Sequence, residues 1–116
     1  MTNFGFYSEK NSSYHNNLQF ETHLEGLTDS ARKLMLELRN YAKSLGYNII
    51  EEIRPHRVVY AKTLTFRTFL DIKPANNSLV ISIKSGRNKP ITTQVVKTIE
   101  DIEAIKKQVF EAYQNI

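Results

Sequence analysis

The sequence predicts a single α+β domain, an antiparallel sheet of four to five strands flanked by an N-terminal and a C-terminal helix packed on one face. Three observations lead there. Two segments with apolar residues at three- and four-residue spacing bracket a central stretch whose apolar residues alternate instead. The links between the alternating segments are short, and short links force antiparallel pairing because parallel strands need long crossovers. The length of 116 residues is close to the commonest for one domain and is enough to bury a core without staples.

The first helix is predicted over Thr28 to Leu45. Ala31, Leu34, Met35, Leu38, Tyr41, Ala42 and Leu45 make one apolar face, Thr28 is placed to cap the first turn, and Asp29 suits the positive end of the helix dipole. Gly46 follows, where a left-handed residue stops a helix at little cost. Strands are then expected at Asn48–Arg54, Arg57–Lys62, Thr65–Lys73, Ser78–Lys84 and Ile91–Lys97. Within the third, strict alternation puts Phe66, Thr68, Leu70 and Ile72 on one face and Arg67, Phe69, Asp71 and Lys73 on the other. Pro74-Ala75-Asn76-Asn77 is a turn signal, and Ser85 to Pro90 reads as a basic loop. The second helix is expected over Ile99 to Gln114, capped by Thr98, with Ile102, Ile105, Val109, Phe110 and Tyr113 inward. Residues 1–20 read as a loosely held polar arm and 21–116 as the domain.

Composition removes several kinds of chemistry. There is no cysteine, so disulfides, thiolate metal sites and cysteine nucleophiles are excluded. His15, His23 and His56 lack zinc-ligand spacing, and neither a P-loop nor a nucleophile-elbow motif is present. No cofactor is expected. No apolar run approaches the length of a membrane span, and a cytoplasmic protein without membrane contact is expected.

Charge is the informative feature. From Arg54 to Lys89 eight basic residues face one acidic residue, Asp71, whereas the rest of the chain is net negative. Such a split marks a surface for an anionic partner, DNA or RNA, or else a solvated sheet face. On the nucleic-acid reading, Lys62, Arg67, Lys73, Lys84, Arg87 and Lys89 would contact phosphates, and Tyr60 and Phe69 would stack on bases if exposed. Two alternatives stay open. One is a protein-interaction domain that forms a homodimer through the open sheet face. The other is a Mg²⁺-dependent restriction-type nuclease, with Glu51 and Glu52 on one strand and Asp71-Ile72-Lys73 on a later one, which would use Glu52, Asp71 and Lys73. A non-catalytic module is the first expectation.

Leu45-Gly46, Val58-Val59-Tyr60-Ala61, Phe66 to Pro74, Leu79 to Ile83 and Ala112-Tyr113, with His23-Leu24 before the first helix, carry a likeness. Over about Phe20 to Ile116 the chain resembles a prokaryotic domain-of-unknown-function family, number 5655. The resemblance implies a small stand-alone protein or an attached module. Some members are nuclease-like or restriction-associated, and others carry a transport label. No catalytic residues follow from it, and it points toward nucleic acid as a partner.

Overall fold

A computed structural model describes residues 18–63, 65–86 and 88–116. The predicted arm lies outside the described residues up to position 17, and so do His15 and Arg87. The described chain opens with a 3₁₀ turn, Phe20–Leu24, followed by helix α1 (Asp29–Ser44). Five strands follow: β1 (Ile49–Ile53), β2 (Val58–Lys62), β3 (Thr68–Pro74), β4 (Leu79–Lys84) and β5 (Ile91–Val96). Helix α2 (Ile99–Asn115) closes the fold. The strands form one antiparallel sheet in chain order, so β1 and β5 are its edges.

Both helices are capped as their sequences require. The Thr28 hydroxyl accepts the Ala31 N–H. Thr98 and Asp101 form a reciprocal capping box that satisfies backbone donors on both sides of the helix start. Backbone hydrogen bonds to Asp101 from Lys97 and Thr98 hold its carboxyl below the usual range.

The helices bury their stripes against the same side of the sheet, except that Phe110 of α2, expected inward, is exposed. Leu34, Met35 and Leu38 of α1 and Ile102, Ile105 and Val109 of α2 join Val58, Tyr60, Leu70, Ile72, Leu79, Ile81, Ile83 and Val96 in one core. Phe20 belongs to that core, so the folded unit begins no later than the 3₁₀ turn. His23 fixes this turn to the sheet, its Nε2 donating to the Arg54 carbonyl at 2.6 Å.

Three local expectations are corrected. First, β3 begins at Thr68, because the chain turns before it: Phe66 N–H donates to the Lys62 carbonyl and Lys62 N–H to that of Arg67. Phe66 therefore leaves the strand and takes a left-handed backbone, φ 54°. Second, strict alternation fails within β3. Tyr60 pairs with Leu70 but Ala61 pairs with Thr68, so Phe69 is the extra residue of a β-bulge. The bulge turns Phe69 onto the helix side beside Leu70, where its ring meets Tyr113 edge-on at 5.6 Å. Third, Gly46 does not have a positive φ. Its missing Cβ makes room for the Tyr113 hydroxyl, which donates to Asn48 at 2.7 Å.

Replacing the fully buried Phe69 by Ala should destabilise the fold by about 3–5 kcal/mol. Chemical denaturation checks this, and a loss under about 1 kcal/mol would place Phe69 back on an accommodating surface.

Candidate nucleic-acid interface

The face away from the helices is built row by row from the strand register. Glu52, Val59, Asp71, Ser82 and Thr93 form one row across all five strands. Lys73, Val80 and Val95 form the row on one side of it. Ile50, Ala61 and Thr68, with the pair Lys84 and Ile91, lie on the other side. One depression lies on this face and a second adjoins it at the end of the sheet, beside the C-terminal end of α2. The first, of about 220 Å³, has Val59, Ile91 and the buried Phe69 beside Arg54, Asp71, Ser82 and Lys84. The other, of about 280 Å³, is lined by Arg67, Thr68, Lys84 and Ile116. They share Thr68 and Lys84, so a single groove runs from Arg67 and the C-terminal end of α2 onto the middle of the sheet.

The charges of this face fall into two kinds. Arg54 is paired with Glu52 at 2.9 Å and Arg57 with Asp71 at 3.0 Å. These carboxylates lie on β1 and β3, separated by Val59 of β2, about two strand spacings or roughly 10 Å apart in the backbone. Each carboxylate already has a guanidinium partner. Among the described residues no cluster of three or more His, Asp or Glu side chains is arranged to hold a metal ion. Lys73, Lys84 and Arg67, by contrast, enter no ion pair among the described residues.

The structure therefore divides the residues singled out from sequence. Lys73 and Lys84 stand on the uncovered face, Arg67 stands at the groove entrance, and Lys89 is exposed in the β4–β5 loop. Lys62 belongs to the other side, its ammonium 4.6 Å from the Tyr113 ring centroid and 3.5 Å from the Ile116 main-chain oxygen. Tyr60 and Phe69 are fully buried on the helix side and cannot stack on a base. Phe69 is turned inward by the bulge. Tyr60 is retained there because Glu51, directly opposite on β1, accepts its hydroxyl at 2.8 Å.

Alternation alone missed the exposed aromatic groups. Phe66 is 75% exposed on the β2–β3 loop. Tyr47 is fully exposed on the loop between α1 and β1. The two loops are joined by the Thr63 N–H donating to the Asn48 carbonyl at 2.9 Å. The sequence carries no signal for this placement, because Thr63, Thr65 and Phe66 are all strand-favouring residues.

Glu51, singled out as a possible metal ligand, instead organises the space between α1 and the sheet. Arg39 of α1 donates to both of its oxygens, at 2.8 and 3.0 Å, and Lys43 approaches at 3.7 Å. The Arg39 guanidinium also lies over the Phe20 ring, 4.1 Å from its centroid. Burial alone would push the Glu51 carboxyl up. The hydrogen bonds from Arg39 and Tyr60 and the neighbouring positive charges override it and hold the carboxyl below its usual range. Burial, reinforced by Glu51, pushes the Tyr60 hydroxyl far above its ordinary value, so it stays a donor at any physiological pH. The hydrogen bond to Glu51 likewise raises the Arg39 value against the effect of burial.

Folding thus lowers the proton affinity of Glu51. Its contribution to stability is complete above the unfolded carboxyl value, about 4.3, and is lost as the pH falls through the lower folded value. Glu51→Gln should cost about 1–3 kcal/mol at neutral pH and remove part of the acid-induced loss. Thermal melts from neutral to acid pH measure both, and parallel curves for the two proteins would contradict this role.

No family model matches the chain, and neither a curated protein nor a solved structure is found to be similar to it.

Proposed function

We propose that the uncovered face binds single-stranded nucleic acid along the groove, without catalysis. The observation that carries this reading is the separation of its charges. The two carboxylates of the face are neutralised in place by Arg54 and Arg57, and Lys84 and Arg67 in the groove, with Lys73 elsewhere on the face, are left to meet an external anion. Thr68 and Ser82 add hydroxyls that suit phosphate oxygens.

Sheet faces that read bases need exposed rings. Here the rings come from the loops: Phe66 is exposed and precedes the groove residue Arg67 in the chain, with Tyr47 on the adjoining loop. The left-handed backbone of Phe66 supports a role outside folding. A bulky residue at positive φ is disfavoured, and its ring contributes little to the core at 75% exposure. Recognition by phosphate contact and ring stacking is tolerant of sequence and weakens with salt.

Titration of labelled single-stranded and duplex oligonucleotides at several salt concentrations tests the reading. Affinity should fall steeply with salt. Arg67→Ala, Lys73→Ala and Lys84→Ala combined should flatten the log–log slope by about 2, at roughly 0.7 per phosphate contact on a single strand. An unchanged slope in that variant would remove these residues from the interface.

Phe66 supplies a second prediction. Phe66→Ala and Phe66→Gly should both weaken single-strand binding about tenfold. The Gly variant should be more stable than the Ala variant by about 1 kcal/mol, because only glycine adopts this backbone without strain. Binding unaffected by loss of the ring would leave phosphate contact as the only mode.

A further inference from the structure

The two sheet edges are treated very differently by the sequence. β1 carries Glu51 and Glu52 at its centre, and the long side chains of Arg39 and Lys43 reach it from α1. Charged side chains on an edge are a standard defence against pairing with another chain. β5, Ile-Thr-Thr-Gln-Val-Val, has no charge, no proline and no bulge within its six residues. Its inner side is fully paired with β4, and among the described residues no backbone group lies against its outer side. Ile91 and Val95 are 60% and 56% exposed on the uncovered face, with Thr93 between them. Helix α2 packs mainly over β3 and β4 and reaches β5 only on the helix side, through the Gln94–Gln108 hydrogen bond and buried Val96, so no helix lies along the outer edge of β5.

We propose that β5 is the seam of a two-fold homodimer, pairing antiparallel with β5 of a second copy so that two sheets become one. A two-fold seam sets the same strand against itself, and this strand is complementary to itself. With Thr93 facing Thr93 across the axis, Ile91 of each copy lies opposite Val95 of the other. Residues opposite one another share a face, so the exposed apolar pairs join into one stripe. No like charges meet within the strand. Stacking two copies through the uncovered face would instead press Lys73 and Lys84 of one against the same cations of the other. This favours the edge over the face as the contact. Lys89 and Lys97 flank the strand and come together at both ends of the seam. Screening of that repulsion makes the dimer tighten with salt, whereas nucleic-acid binding weakens. The inference is independent of the nucleic-acid reading.

Sedimentation velocity and light scattering of the purified chain, without nucleic acid, test it across protein and salt concentration. The expected result is a mass rising toward twice the 13.5 kDa chain, more readily at higher salt. Thr93→Lys and Thr93→Glu, at an exposed position, should each be folded by circular dichroism and monomeric at low salt. An equimolar mixture should restore the dimer, because the opposite charges then meet on the axis. A wild-type monomer at the highest soluble concentration would overturn the proposal. So would a dimer indifferent to both substitutions, or two monomeric variants that fail to pair.

Discussion

One extra residue in β3 determines what each face of this protein presents. Strict alternation from Asp71 back toward Arg67 would send Phe69 outward and Thr68 inward. The bulge at Phe69 reverses both, because two residues of β3 then oppose one span of β2. Phe69 gains the edge of Tyr113, and Tyr113 in turn reaches Asn48 and stands beneath Lys62. The C-terminal helix is thereby tied to the sheet and to the loop after α1. On the other side, Thr68 joins Lys84 in lining the groove. The loop before the bulge closes on Lys62 and Arg67, which lifts Phe66 out of the sheet.

The two faces solve the problem of charge in different ways. Under the helices, Glu51 is tolerable because its oxygens receive two guanidinium hydrogen bonds and a phenol, which offset the cost of desolvation. The network spans α1, β1 and β2, so it fixes the helix against the edge of the sheet. Lys106 plays a lesser version of this part on α2, bridging Glu37 of α1 and Glu103 of its own helix. On the uncovered face, Arg54 and Arg57 neutralise the carboxylates and the remaining cations face water. The net positive segment seen in the sequence is thus a mixture of internal pairs and external charge, and only the second kind is available to a ligand.

Much of the fold was legible because its signals were redundant. Thr28 and Thr98 mark helix starts by a chemistry that operates locally, and the helical stripes of α1 and α2 agree with the caps. The antiparallel order followed from link length alone. The candidate site was legible only in part. Lys73 and Lys84 were assigned to the uncovered face because alternation holds from Asp71 to Lys84. It fails two residues before Asp71, at a bulge whose cause is tertiary: the space beside Tyr113 suits an aromatic ring, and nothing local to Phe69 reveals it. Tyr60 was misread for a related reason, since its partner Glu51 is nine residues away and becomes its neighbour only through the β1–β2 register. Lys62 shares that strand face and goes with it.

The central claim is that the uncovered face, entered at Arg67, is where a nucleic-acid strand lies. Amide chemical-shift mapping during addition of a short single-stranded oligonucleotide tests it most directly. The account predicts shifts at Phe66 and along the groove, at Arg67, Thr68, Asp71, Ser82 and Lys84, with the amides of α1 unmoved. Shifts confined to the helices, or none at low salt, would contradict it.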